Sequence, residues 1–385
     1  MRNYINYQNY LNYLERIKKM AGSSFGNIFR ITTWGESHGN ALGVVVDGCP
    51  AGLSLGVEDI QAYLDRRKPG QSKITTSRKE ADEVEILSGI FEGRTTGTPL
   101  SMLVHNTSQR SGDYSEIANY YRPGHADYTF DAKYGFRDYR GGGRSSGRET
   151  IGRVAAGAVA SKLLLEFGIG LRAYTKSIGP VTIDRGQFDA QAILSTPTCM
   201  PDRNASAQAQ AYLEQCMKNH DSAGGVIECV IDGVPAGLGE PVFGKLDALL
   251  SQAMMSIGAV KAVEIGDGVE VTTRHGSENN DSFHMEDGRV TKTSNHAGGI
   301  LGGISDGSQI ILRTHIKPTP SIFSPQKTVN RQGEDIEISI KGRHDPIIVP
   351  RAVVVVETMA ALVIADALLT NASAKLDNLK KIYGR

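Results

Sequence analysis

The spacing of apolar residues predicts five helices and four strands along the chain. Apolar side chains recur with the helical period at 57–68, 149–167, 205–218, 242–257 and 351–369. Shorter strand-like runs lie at 27–33, 42–46, 225–231 and 309–314. Because helices and strands do not alternate regularly, this order favours an α+β fold over a doubly wound parallel sheet.

A short internal repeat predicts that the chain has two related halves. The heptapeptide at 47–53 reads DGCPAGL, and the one at 232–238 reads DGVPAGL. Each copy follows a predicted strand and precedes a predicted helix, with Gly and Pro forming the turn between them. The same order of strand, turn and helix on both sides indicates pseudo-symmetric halves.

Neither the charge nor the most apolar segment indicates a nucleic-acid or membrane partner. The 42 basic and 42 acidic residues cancel, so the overall field attracts neither nucleic acid nor an anionic membrane. Segment 352–369 is the most apolar, but Glu357 and Asp366 interrupt it, and either carboxylate would be costly in hydrocarbon. We therefore predict a core helix buried on most sides.

The cysteines and the N-terminus indicate a cytoplasmic protein. Neither a C-x-x-C pair nor a His at metal-ligand spacing accompanies Cys49, Cys199, Cys216 and Cys229, which argues against a zinc site or a disulfide framework. Residues 1–19 lack the apolar stretch of a secretory signal. We interpret them as a dispensable extension or as a mis-assigned start before Met20, with a marginal helix as the alternative.

Residues 35–39 (GESHG) match the G-x-S-x-G pattern of serine hydrolases, in which a strained turn presents a nucleophilic Ser between a strand and a helix. Here the following residues, 42–48, are β-branched and predict another strand instead of the helix. The motif is therefore interpreted as a hairpin turn that brings Ser37 and His38 to a pocket. A serine hydrolase that uses Ser37 remains a rival function.

Three loops combine basic side chains with Gly or Pro, at 65–73 (DRRKPGQSK), 121–127 (YRPGHAD) and 137–149 (RDYRGGGRSSGRE). In the third loop, glycines let backbone N–H groups turn inward, and a helix N-terminus follows, which predicts an anion cradle. The loop lacks the Gly-Lys-Ser/Thr ending of a P-loop, and the chain has no G-x-G-x-x-G at a strand-to-helix turn. ATP and NAD, bound by their usual motifs, are therefore disfavoured.

Three later segments add to the candidate site. Segment 294–305 (SNHAGGILGGIS) is Gly-rich and apolar, which is typical of backbone packed against a flat or bulky ligand. Segment 317–321 (KPTPS) offers a charge and two hydroxyls on a stiffened backbone. Segment 341–346 (KGRHDP) puts Asp345 beside cations that can tune its pKa and reactivity, although a plain ion pair with Arg343 is the alternative.

Taken together, the motifs at 35–39, 122–127, 141–149, 295–305 and 342–346 resemble the ordered motifs of the chorismate synthase family. The resemblance covers residues 20 to about 369, and 20–385 is interpreted as one catalytic domain of this family. It implies a β-α-β sandwich, with helices layered between two antiparallel sheets. It also implies a homotetramer that binds one FMN per subunit.

The resemblance further implies three sets of site residues. The acid–base residues are His38, His125 and Asp345. The residues around the substrate are Ser37, Arg67, Lys73, Arg122, Gly147 and Arg148. The residues that contact the flavin are Arg144, Ser145, Ser146, Gly258, Ala259, Gly302, Lys317, Pro318, Thr319, Pro320, Ser321 and Arg343.

The activity that the resemblance implies is the last step of the shikimate pathway, which leads to the aromatic amino acids. Phosphate leaves 5-enolpyruvylshikimate 3-phosphate in an anti-1,4 elimination that yields chorismate and requires reduced FMN, with no net redox change. The substrate carries two carboxylates and a phosphate, which arginines can hold bidentately. In this scheme His125 protonates the leaving phosphate, His38 protonates the flavin, and Asp345 manages the proton at the reactive flavin nitrogen.

Two positions depart from the family pattern, and other functions stay open. Gly147 stands where Ala is common, and Lys73 where Arg is common. A non-catalytic flavin- or phosphate-binding protein would explain the anion cradle without His38, His125 and Asp345. Since the chain has no nicotinamide fingerprint, NADPH is expected only as an external source of electrons, and whether the chain or a separate flavin reductase uses it stays open.

Overall fold

The computed structural model describes residues 22–70, 80–107, 116–340 and 345–384. The first half of the chain forms seven strands and three helices in the described part. In chain order these are β1 (Ser24–Phe25), β2 (Arg30–Gly35), β3 (Ala41–Asp47), α1 (Val57–Arg67), β4 (Val84–Ser88), β5 (Ile90–Phe91), β6 (Arg94–Thr95), β7 (Leu100–His105), α2 (Asp127–Tyr134) and α3 (Thr150–Leu165). One antiparallel sheet has the order β1-β2-β3-β7-β4.

The second half builds a second antiparallel sheet and carries the long C-terminal helix. Its elements are β8 (Gly170–Ile178), β9 (Val181–Thr182), α4 (Ala190–Ser195), α5 (Arg203–Lys218), β10 (Gly225–Asp232), α6 (Leu246–Met255), β11 (Val260–Ile265), α7 (Gly276–Asn279), β12 (Phe283–Glu286), β13 (Arg289–Lys292), β14 (Ile300–Leu301), β15 (Ile304–Ser305), β16 (Ile310–Ile316), β17 (Gln326–Val329), β18 (Asp335–Ile338), α8 (Val349–Asn371) and α9 (Leu376–Ile382). The sheet has the order β11-β16-β10-β8-β9.

The helices form the layer between the two sheets. Helix α3 packs against β2 and β3, helix α8 packs against β8 and β10, and the two helices pack on each other. Their close approach requires Gly157, because a Cβ there would lie 2.3 Å from the Cβ of Thr358. The predicted α+β fold, a β-α-β sandwich, is confirmed.

Helix α8 is a core helix, as its composition predicts. It is the one helix in the described ranges long and apolar enough to cross a membrane, yet 83% of its apolar window is buried inside the protein. Its two carboxylates tie it to both sheets. Glu357 accepts hydrogen bonds from Arg66 of α1 and from the backbone N–H of Ala173 in β8. Asp366 accepts from the backbone N–H groups of 27–29, next to β2.

The repeated heptapeptide marks equivalent positions in the two halves, which confirms the predicted pseudo-symmetry. In the first half, the hydroxyl of Thr95 donates to Pro50 O at 2.7 Å and accepts from Leu53 N at 3.0 Å. In the second half, Ser305 makes the same two bonds with Pro235 O (2.6 Å) and Leu238 N (2.8 Å). The hairpins β5–β6 and β14–β15 therefore pack against the two copies in the same way.

Some predicted boundaries were wrong at the element ends. The strand predicted at 27–33 begins at Arg30, because Asp366 takes the N–H groups of the three preceding residues. The helix predicted at 242–257 begins at Leu246, because Val242 has a φ of 62° and cannot belong to a right-handed helix. The other predicted helices lie within two residues of their observed ends.

Candidate active site

A large cavity lies where loops of the two halves meet. Its volume is about 1260 Å³. Its lining comes from the β2–β3 turn and the end of α1, the 122–149 loops, the start of α3, the α6–β11 connection, the segment after β16, and the start of α8. Because five of the six basic or Gly-rich segments singled out in the sequence contribute to it, all except 294–305, this cavity is the candidate site.

The cavity concentrates positive charge in a chain of no net charge. Among the described lining residues, nine are Arg or Lys and five are Asp or Glu. Four of the nine cations were not predicted as site residues, namely Arg137, Arg153, Lys261 and Arg351. Arg153 could have been found from the sequence, since it lies four residues after Glu149 on the predicted helix, at salt-bridge spacing.

The G-x-S-x-G motif forms the turn between β2 and β3, as predicted. Ser37 is only 2% exposed, and its Oγ lies 3.0 Å from His38 Nδ1. The imidazole of His38 packs against Gly141 of the Gly-rich loop, where a Cβ would lie 2.1 Å from Nδ1. A buried Ser followed by strand β3 is not the exposed nucleophile of a hydrolase elbow.

The 121–127 turn is tied to the segment after β16. His125 Nε2 lies 2.9 Å from Ser321 Oγ, and Lys317 Nζ donates to Gly124 O at 3.1 Å. Arg122 is clamped by Asp127, which accepts from its backbone N–H, Nε and Nη2 at 2.8–3.0 Å. Burial raises the pKa of Asp127, but the hydrogen bonds and charge of Arg122 outweigh it and hold the pKa below its ordinary value.

The Gly-rich loop folds into two short 3-10 turns, Gly143–Ser145 and Gly147–Glu149, before α3 begins. Several side chains of this loop that were predicted to contact the flavin form hydrogen bonds to other protein groups. Arg144 donates to Thr33 Oγ1 at 2.6 Å and to Gly35 O at 3.1 Å, and Ser145 Oγ donates to Gly142 O. Ser146 Oγ accepts from the backbone N–H of Arg148. The loop is therefore a rigid part of the cavity wall.

Asp345 lies in the cavity wall, paired with a cation that the sequence motif did not suggest. Arg351 Nη1 donates to Asp345 Oδ2 at 2.6 Å, and Arg351 Nε donates to Arg67 O at 3.2 Å. Arg351 stands in the first turn of α8, six residues after Asp345. The cation predicted to pair with it, Arg343, lies outside the described residues, as does Lys73.

Several residues of the cavity lining leave room for a flat ligand. A Cβ added to Gly258 would meet nothing within 4 Å, and the same holds for Gly147. Ala259 adopts a φ of 71°, which an L-residue rarely takes. Thr319 Oγ1 is buried and has no hydrogen-bond partner among the described residues. Open glycine faces and an unsatisfied hydroxyl fit a bound flavin.

The structure does not bring every predicted residue to this cavity. Ser37, His38 and Ser321 lie just behind its lining, through the contacts given above. Pro318 is exposed between two lining residues. Gly302 lies outside the lining, in the β14–β15 hairpin, which packs against the second copy of the heptapeptide. Its flavin contact stays a prediction.

Comparison with known proteins identifies the family. A family model described as chorismate synthase matches residues 29–369. The chorismate synthase of Lachnoclostridium phytofermentans is 67% identical over 365 residues, which cover 94% of this chain and all of that protein. That of Agathobacter rectalis is 66% identical over 364 residues, or 94% of this chain and 99% of that protein.

The fold gives the same answer. A crystal structure of chorismate synthase superposes with a TM-score of 0.72 at 32% identity, covering 94% of this chain and 97% of that one. None of these matches supports a serine hydrolase or a non-catalytic binding protein. The chain belongs to the chorismate synthase family, whose members are lyases of the shikimate pathway.

Proposed function

We propose that the cavity is the active site in which the chain converts 5-enolpyruvylshikimate 3-phosphate to chorismate, using reduced FMN. One observation carries this proposal. One cavity of about 1260 Å³, with more basic than acidic residues, is lined by residues predicted as catalytic, substrate-binding and flavin-binding. These residues are far apart in the sequence, from Arg67 to Asp345. A substrate with three anionic groups and an anionic cofactor need such a field.

The cationic wall is the part that holds the substrate. Arg67, Arg122, Arg148 and Gly147 all contribute to the cavity lining. Guanidinium groups donate two parallel hydrogen bonds to a carboxylate or phosphate, so a few arginines can hold three anionic groups. Lys73, which lies outside the described residues, is proposed to complete this set.

Three residues handle protons. His125, held by Ser321 at its Nε2, protonates the leaving phosphate. His38, set by Ser37 at its Nδ1 and packed on Gly141, would serve as the acid beside the flavin. Asp345, oriented by Arg351 through Oδ2, would serve as the acid–base group for the reactive flavin nitrogen. His125 and Asp345 line the cavity and His38 lies just behind its lining, each on a separate part of the fold, so each can act on a different atom.

The flavin would be held by Arg144, Ser145 and Ser146 on one side and by Gly258, Ala259, Lys317, Thr319 and Pro320 on the other. Arg343, Pro318, Ser321 and Gly302 complete the proposed set. When bound, reduced FMN supplies the substrate with an electron that it recovers, so the elimination has no net redox change. The protein contributes placement, exclusion of water and proton transfer.

The decisive experiment is an anaerobic assay of the purified chain with reduced FMN and the substrate. We expect chorismate and inorganic phosphate in equal amounts. Substrate that is bound but not converted would instead favour a non-catalytic binding protein, and labelling of Ser37 by a fluorophosphonate would favour a hydrolase. Replacing chemically reduced FMN by oxidised FMN with NADPH shows whether the chain reduces its own flavin or depends on a separate reductase.

We also propose that the enzyme acts in the cytoplasm as a homotetramer. The supporting observations are the membership of the family, the burial of α8 inside the sandwich and the presence of four free thiols. Light scattering is expected to give four times the chain mass of 41.4 kDa. A monomer mass at assay concentration would contradict this assembly.

Replacing Gly258 by Val is expected to lower FMN affinity about tenfold or more while leaving stability near normal. The new side chain would project into the cavity, and forcing methyl groups into space that a ligand occupies costs about 1–3 kcal/mol. Equilibrium dialysis with FMN measures the effect. The matched control is Gly276→Val, since a Cβ at Gly276 also meets nothing within 4 Å but lies outside the cavity lining. Equal affinity in both variants would remove Gly258 from the flavin site.

Deleting residues 1–19 is expected to leave turnover and assembly unchanged. All motifs of the site follow Met20, and a relative that matches over its entire length leaves 6% of this chain unmatched. Terminal segments are usually dispensable unless they dock on the fold. The chorismate assay and light scattering on the truncated chain test this, and loss of either property would show that the extension has a role.

A further inference from the structure

Two of the proposed substrate arginines have buried guanidinium groups that need a counter-charge. Arg67 is 1% exposed and Arg148 is 6% exposed, although both contribute to the cavity lining. A buried charge is stable only when it is paired and hydrogen-bonded. Two cations held close together also repel each other, so their separation and orientation depend on the anion between them.

Asp82 is the carboxylate that bridges them. Its side chain is fully buried, and its two oxygens serve different arginines: Oδ2 accepts from Arg67 Nη2 at 2.9 Å and Oδ1 accepts from Arg148 Nη1 at 3.2 Å. Arg67 is held further by Gly147 O and Thr150 Oγ1. Glu80 forms a second buried ion pair with Arg148, but Asp82 is the carboxylate that contacts both arginines.

The backbone at Asp82 is held in place for this task. Its φ of 51° lies in the left-handed region, which Asp and Asn tolerate better than most side chains. Gln61 of α1 fixes it there, since Gln61 Nε2 donates to Asp82 O at 3.3 Å and Gln61 Oε1 accepts from Val84 N at 3.0 Å. The same helix carries Arg67. Asp82 is therefore anchored relative to the guanidinium that it orients.

We propose that Asp82 is a positioning residue for substrate binding, which acts by holding Arg67 and Arg148 in the geometry that receives the anionic groups of the substrate. This inference rests on the proposed function. A positioning role differs from a purely structural one because it predicts weaker binding of the substrate with unchanged binding of FMN. Among the described residues, Thr319 on the proposed flavin side makes no side-chain hydrogen bond to Asp82.

The test variant is Asp82→Asn, which keeps the shape and the backbone preference but removes the charge. We expect the KM for 5-enolpyruvylshikimate 3-phosphate to rise about tenfold to a hundredfold, with kcat within about threefold and FMN affinity unchanged, as for an interaction lost equally from the ground and transition states. An unchanged KM, or a parallel loss of FMN affinity, would overturn the inference.

A milder variant covers the case in which Asp82→Asn does not fold. Gln61→Ala removes no charge but releases the backbone of residue 82, so we expect KM to rise by a few-fold in the same direction. An unchanged KM in this folded variant would likewise count against the inference. Failure of the wild-type chain to form chorismate would instead overturn the proposed function, so the two failures are distinguishable.

Discussion

Asp345→Asn is expected to lower turnover by about two to four orders of magnitude while leaving FMN and substrate affinity near normal. Asn keeps the shape of the side chain and can still accept a hydrogen bond from Arg351, which donates to Asp345 Oδ2 at 2.6 Å. It cannot take up and return a proton. Complexes should therefore form and then stall.

Rapid mixing of the Asp345→Asn enzyme with reduced FMN and substrate measures this directly. Flavin absorbance should change on binding and then fail to decay. Asp189→Asn is the matched control, because Asp189 also pairs with an arginine, Arg203 at 3.1 Å, but on the surface outside the cavity lining. Normal turnover with weakened binding in Asp345→Asn would leave Asp345 as a structural partner of Arg351.

Asp366→Ala is expected to lower the free energy of unfolding by about 3–5 kcal/mol, because buried donors lose a charged acceptor. The carboxylate of Asp366 is 7% exposed and accepts three backbone N–H groups, from Asn27, Ile28 and Phe29, at 2.7–3.0 Å. Asp366→Asn keeps one carbonyl oxygen that can accept a hydrogen bond, so we expect it to lower the free energy of unfolding by less than Asp366→Ala. These bonds join α8 to the start of β2, and the cavity should remain intact in the folded fraction.

Urea denaturation at a fixed protein concentration measures the loss, since an oligomer's apparent stability depends on concentration. Asp377→Ala, in the exposed first turn of α9, is the control and should change stability by less than about 0.5 kcal/mol. Equal stability of the two variants would show that Asp366 does not tie the helix layer to the first sheet.

Local patterns predicted much of the architecture. Helical spacing located α1, α3, α5 and α8 to within two residues, because the 3.6-residue period expresses which face of a helix is buried. The heptapeptide repeat predicted the two halves, since the same Pro-Gly turn must precede each helix. The run after Ser37 predicted β3, which argued against the hydrolase elbow. Motif order, taken as a whole, predicted the family.

The charge pairs could not be predicted in this way. Asp345 pairs with Arg351, which lies in α8, and Asp82 joins Arg67 of α1 to Arg148 of the Gly-rich loop. The Gly-rich segment around Gly302 proved to be a hairpin packed on the repeat. Periodicity and turn chemistry depend on adjacent residues, so the sequence by itself determined the elements and the halves. Which acid meets which arginine depends on distances between segments far apart in the chain, and only the packed tertiary structure decided it.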